Sequence, residues 1–150
     1  MHIRKDSASF TKKFVRAFLE NGRLTFNGYL SYHRLFISRT ASHSELNHYI
    51  VRFFTSGSDS PTIEVREIRD TVCLLCQNAD AFGEIREYEE SLESNLTKTL
   101  LGKLADEATD KHLLLVSSLH EALRLSANTA EVIFVLMFTQ NPHSIPRSEL

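Results

Sequence analysis

The sequence predicts an all-α domain of six to eight helices, and three observations carry that expectation. Apolar residues recur at three- and four-residue spacings along nearly the whole chain. No run of ordinary strand length alternates apolar with polar residues. The composition, 42% apolar and 24% charged over 150 residues, is that of a folded domain able to bury a core without disulfides or metal.

The elements follow in order. Phe10, Phe14 and Phe18, with Val15 and Leu19 beside them, predict an amphipathic helix from about residue 7 to 20, ended by Asn21-Gly22. Thr25 can cap a second helix reaching about Ser38, with Phe26, Tyr29, Leu30, His33 and Ile37 on its apolar face and Phe36 at its edge. Ser42 or Ser44 caps a third, striped by Leu46, Tyr49, Ile50, Phe53 and Phe54. Residues 56–61 form the clearest loop. A fourth helix starts near Glu64 and carries Val65, Ile68, Val72, Leu75 and Cys76.

Beyond Asp80 the character changes. Residues 84–95 hold five glutamates against one arginine, and Leu92, Leu96, Leu100 and Leu104 continue a helix. Asp110 is expected to begin another, through Leu113, Val116, Leu119 and Leu123. The last helix holds the apolar run Val132 to Phe138, far short of the roughly 20 residues of a membrane span. It is apolar all round and needs a cover. The expected organisation is a helix–loop–helix pair over 7–78, a helical segment over 84–140 packed on it, and a flexible tail over 141–150.

Net charge is −2, unevenly spread. Residues 1–40 hold eight Lys/Arg and two Asp/Glu, against nine and seventeen in the remainder. Lys5, Lys12, Lys13, Arg16 and Arg23 read as a solvated basic face, which also offers a contact for an acidic membrane surface. They lack the interleaved aromatics of a nucleic-acid platform. The first residues, MHIRKDSASF, are polar, so no secretory leader is expected there, and a cytoplasmic location follows as the default.

Two short extended pieces, Arg23-Leu-Thr25 and Thr62-Ile-Glu64, each sit between helices with an aliphatic residue at the centre, 39 residues apart. Arg23-Leu-Thr-Phe-Asn-Gly-Tyr-Leu30, Ser44-Glu-Leu-Asn-His-Tyr-Ile-Val-Arg-Phe-Phe54 and Ile63-Glu-Val-Arg-Glu-Ile68 together resemble a degenerate EF-hand pair in the calcineurin-B or neuronal-sensor style, over about residues 10–78. Degenerate EF-hands followed by further helices also resemble the region ahead of the TLDc domain in lysosome-associated signalling proteins. The resemblance implies that Leu24 and Ile63 pair across a short ladder. It also implies a partner groove, lined here by Phe14, Phe18, Phe26, Tyr29, Phe36, Phe53 and Phe54, which takes an amphipathic partner helix or the chain's own C-terminal helix.

With Ile63 at position 8, the second loop runs from Ser56 to Glu67. Ser56, Ser58 and Ser60 fall at positions 1, 3 and 5, Thr62 offers its carbonyl at 7, and Glu67 closes at 12. Three neutral hydroxyls and one carboxylate replace divalent-cation hydration poorly, and Pro61 stands where the turn wants glycine. In the first loop Ala17, Leu19 and Gly28 occupy ligand positions. No cofactor is therefore expected and calcium binding is disfavoured.

Other motifs are weak. Cys73 and Cys76 lie inside a helix without a second CxxC. His120-Glu121 lacks the second histidine of a zinc-protease helix, and Ser117, Ser118 and His120 share one helix without a nucleophile-bearing turn. The resulting expectation is a non-catalytic protein-interaction or regulatory module on a calcium-independent EF-hand-like scaffold. The alternatives are a calcium sensor with a non-standard second loop and an enzyme with an unrecognised site.

Overall fold

The computed structural model describes residues 7–76, 86–107, 109 and 111–140. Tail 141–150, Lys5, residues 77–78 and residues 84–85 lie outside the described residues. The described fold is mainly α. Its helices are α1 (Ser7–Arg16), α2 (Phe26–Tyr32), α3 (His43–Phe54), α4 (Val65–Cys76), α5 (Arg86–Leu101), α6 (Leu104–Glu107), α7 (Val116–Leu125) and α8 (Ala127–Gln140). A π-helical turn, His33–Ile37, extends α2. Two antiparallel ladders join β1 (Leu19–Glu20) to β2 (Arg23–Leu24) and β3 (Thr62–Glu64) to β4 (Leu113–Leu115). Among the described residues no helix is long and apolar enough to cross a membrane.

The expected caps form. Thr25 Oγ1 accepts from Gly28 N at 3.0 Å, and Ser42 Oγ accepts from Glu45 N at 3.1 Å. The first helix stops at Arg16, earlier than its periodicity suggests. Asn21 and Gly22 have φ of 52° and 77°, the pair of positive values that a two-residue hairpin turn requires. That turn folds Leu19 back onto Leu24 and Glu20 onto Arg23.

This hairpin corrects the expected pairing of Leu24 with Ile63. The backbone at Leu24 is already used by Leu19. Ile63 pairs instead with Leu114, the centre of an extended piece 51 residues on that periodicity alone assigned to a helix. The ladder is continued by Val65 N donating to His112 O (2.8 Å) and Val116 N to Pro61 O (2.9 Å). The two helix–loop–helix units that meet are thus α3–α4 and α6–α7. Helices α1 and α2 with their hairpin form a separate N-terminal unit laid against α3.

The core runs through all three parts as one cluster, from Phe10 to Met137. Its centre is aromatic. Phe14 meets Phe10, Phe18 and Phe36 at centroid separations of 5.8, 5.5 and 5.1 Å, and Phe10 meets Phe53 at 5.4 Å. These separations lie within the range where ring pairs attract beyond their area burial. Helix α8 closes over this cluster. Phe134 stacks on Phe36 at 5.3 Å, and Ile133, Leu136 and Met137 are buried. The expected cover of the apolar run is therefore supplied within the chain, although Val132 and Val135 stay exposed on its outer face.

Helix α2 sits differently from its apolar pattern. Its inward face is Gly28 and Ser31, continued by Leu35 and Phe36, while Phe26, Tyr29 and Ile37 point outward. Two constraints set this orientation. A Cβ at Gly28 would lie 2.2 Å from Phe18 O, so only glycine fits against the end of α1. Ser31 Oγ accepts from Tyr49 Oη at 2.9 Å, and Arg34 grips Glu45 through two bonds of 2.8 and 2.9 Å. This polar network, not an apolar stripe, fastens α2 to α3.

Truncating Phe53 to alanine is expected to cost about 3–5 kcal/mol, because it opens a cavity at a fully buried position. Phe26→Ala, at a position 74% exposed, should change stability by no more than about 0.5 kcal/mol. Urea unfolding of both variants checks the contrast. Equal losses would place Phe26 in the core.

Candidate functional site

The chemistry-bearing side chains gather at the loop between α3 and α4. At its start Ser56 and Gly57 both adopt positive φ, 53° and 76°. A Cβ at Gly57 would meet Arg16 O at 2.4 Å, so the loop passes the end of α1 closer than any other residue allows. Two helix C-termini, those of α1 and α3, are thereby brought side by side. Each leaves carbonyl oxygens without intrahelical donors.

Each helix supplies the cation that satisfies the other. Arg52 of α3 donates from Nε to Ala17 O (2.7 Å) and from a terminal nitrogen to Leu19 O (2.6 Å). Lys13 of α1 donates from Nζ to Phe54 O (3.1 Å) and approaches Phe53 O (3.4 Å). The same ammonium reaches Ser56 Oγ at 2.8 Å and Glu67 Oε1 at 2.5 Å. Positive charge at a helix C-terminus also opposes the negative end of the macrodipole.

Ser56 and Glu67 are positions 1 and 12 of the loop counted above. They converge on Lys13 Nζ. Ser58 and Ser60 do not join them. Both are exposed, Ser58 Oγ accepts from Ser60 N (3.1 Å), and Ser60 Oγ accepts from Thr62 N (3.3 Å). Thr62 is half-buried in the ladder, and Asp59, 89% exposed, points away with Arg52 at 3.8 Å.

Lys13 was read from sequence as part of a solvated basic face, and the structure corrects this: its side chain is only 15% exposed. Burial lowers its pKa from the usual lysine value, opposed by the hydrogen bond and charge of Glu67. Arg52, its side chain 18% exposed, also escapes a reading of periodicity, because a long basic side chain beside an apolar stripe reads as a solvated one. The sequence clue to Lys13 is its place between Phe10 and Phe14, on the border of the apolar stripe.

The groove residues divide. Phe14, Phe18, Phe36, Phe53 and Phe54 are buried in the core, filled over by α8, so they offer no open groove. Phe26 and Tyr29 are exposed on the opposite side of α2. Near them a small apolar slot of about 50 Å³ opens between Phe14, Val15 and Phe18 of the α1 region, Leu19 and Leu24 of the hairpin, and Tyr29. Drug-sized ligands need roughly 300–1,000 Å³, so this slot admits the end of one side chain.

A larger cleft of about 570 Å³ lies along the α3–α7 seam, with His43, Asn47, His48, His120 and Arg124 among Leu123, Ala127 and Ala130 on its walls. The His48 and His120 rings stack at 6.4 Å. Glu121 is bound to Arg124. Among the described residues no group of three or more His, Cys, Asp or Glu could hold a metal ion. Cys73 and Cys76 lie on α4, half-buried and buried.

His48 keeps an exposed edge, yet burial of its inner edge lowers its pKa below 6.5, helped by Arg52 and His120 and opposed by Glu45. The unfolded chain therefore binds its proton more readily than the fold does. Stability from the neutral imidazole is present above pH 6.5 and is lost as pH falls below it. His48→Gln should show a smaller drop in melting temperature between neutral pH and mild acid than the natural chain. Parallel curves for the two proteins would contradict that role.

No family model, curated protein or solved structure matches this chain.

Proposed function

We propose that the chain is a non-catalytic protein-interaction or regulatory module, built on an EF-hand-like scaffold that keeps its shape without calcium. The observation that carries this reading is the Lys13 ammonium. It sits where the first and last positions of the α3–α4 loop converge, bonded to Ser56 and Glu67. A tethered monovalent cation fills the role that a divalent ion has in an EF-hand, which is to pull the entering and leaving helices together through position 12.

The meeting of the loops supports the same reading. The short antiparallel ladder centred on Ile63 and Leu114 resembles the one that joins paired EF-hands. Counted from Leu114 as position 8, the loop between α6 and α7 closes on Ser118, an exposed hydroxyl with no charge to offer a metal. Neither loop then collects the several carboxylates that a physiological calcium site uses. A scaffold held by its own lysine does not open and close with calcium. Its contribution to signalling is to present a surface.

The test is thermal unfolding with and without millimolar calcium. A ligand that binds only the native state at a hundredfold excess over its Kd adds about 2.7 kcal/mol. The expected result is an unchanged melting temperature. A calcium-dependent rise that Glu67→Gln abolishes would replace this reading with that of a calcium sensor.

A further inference from the structure

The outward face of α2 poses a physical problem. Phe26, Tyr29 and Ile37 recur at helical spacing and are 74%, 49% and 56% exposed, while the inward face carries Gly28 and Ser31. The stretch buries Leu35 and Phe36 along with Gly28 and Ser31, yet it leaves a second apolar face, Phe26, Tyr29 and Ile37, that its own packing does not use. Leu24, 41% exposed at the hairpin, extends the patch toward the apolar slot. The five-residue π-helical turn lies in the same stretch, and such turns recur at functional positions. Large apolar patches on a folded surface mark sites of association.

Charge narrows the occupant. From residue 21 to 44 the chain has three arginines and no acidic residue; of the three, Arg34 is paired with Glu45. Val15 of α1, which lines the slot, is flanked by exposed Lys12 and Arg16, and in the hairpin Arg23 adjoins Leu24. Glu20, across the hairpin from Arg23, is the acidic residue of this rim. The shape narrows it again. The slot is concave and takes one apolar side-chain end, which suits an anchor projecting from a helix better than the flat face of a bilayer.

We propose that the Phe26–Tyr29–Ile37 stripe and its slot receive an acidic amphipathic helix of a partner protein, with one apolar side chain seated in the slot. The stripe spans about 16 Å at 1.5 Å per residue, the length of three helical turns. Three turns present apolar anchors at i, i+3 or i+4, and i+7 on the partner, with acidic positions beside them facing Lys12, Arg16 and Arg23. This inference rests on the interaction-module reading and gives that reading a surface and a class of partner.

The experiment is a display selection of short peptides against the full chain, followed by fluorescence-polarisation binding of the recovered peptides. Acidic peptides with apolar residues at helical spacing are expected. Phe26→Asp should weaken them by about tenfold or more while leaving the melting temperature unchanged. Arg23→Glu should weaken them as well, more at low salt than at high salt. Peptides that bind Phe26→Asp as well as the natural chain would overturn the stripe as the docking site, yet leave the interaction-module reading standing. Recovery of basic peptides, or of none, would overturn the proposed partner class. So would sedimentation with phosphatidylcholine–phosphatidylserine vesicles, or a concentration-dependent dimer, if Phe26→Asp abolished it. The calcium experiment decides the parent reading separately.

Discussion

The structure depends on two helix ends that satisfy each other. Helices α1 and α3 terminate side by side, and the closely passing loop at Gly57 excludes any side chain that could screen their carbonyls. Unpaired, those buried oxygens would each carry a desolvation cost of about 1–3 kcal/mol. Lys13 and Arg52 cross in opposite directions to bond them. Because Lys13 also reaches Ser56 and Glu67, the same ammonium fixes the start of the loop and the first turn of α4. The order of three helices and the course of the loop between two of them follow from that one arrangement.

The aromatic core and this polar clasp act on the same contact from two sides. Phe10 and Phe14 place α1 over Phe53 and Phe36, and Lys13, between them in sequence, is left with little contact with water. Burial penalises its charge and Glu67 partly restores it, so the clasp is held by geometry more than by net electrostatic gain. Its contribution is specificity of docking. The polar fastening of α2 through Ser31, Tyr49, Arg34 and Glu45 has the same character. Both seams leave apolar side chains free to face outward.

Much of the fold was legible in sequence where period and capping agreed. The caps at Thr25 and Ser42 and the stripe of α3 are local features with local causes, whereas Asn21-Gly22, read as the end of the first helix, turns a hairpin beyond a helix that stops at Arg16. The ladder was not, because Leu113-Leu114-Leu115 leads directly into helical spacing, and only the partner strand at Thr62–Glu64 makes it extended. The orientation of α2 was hidden for another reason. Apolar spacing shows which face could be buried, but a close backbone approach at Gly28 decides which face is. Of the loop residues, Ser56 and Glu67 were found by spacing, whereas the lysine that joins them comes from a helix more than forty residues earlier in the chain, a distance that no local pattern spans.

A double-mutant cycle on Lys13 and Glu67 tests the clasp most directly. Lys13→Met, Glu67→Gln and the double variant would be compared by urea unfolding. The clasp requires a coupling energy of about 1–2 kcal/mol between the two sites, with each single change costing more than its share of the pair. Additivity within about 0.3–0.5 kcal/mol would contradict it, and would leave the ammonium as a buried end with no part in joining the loop to α4.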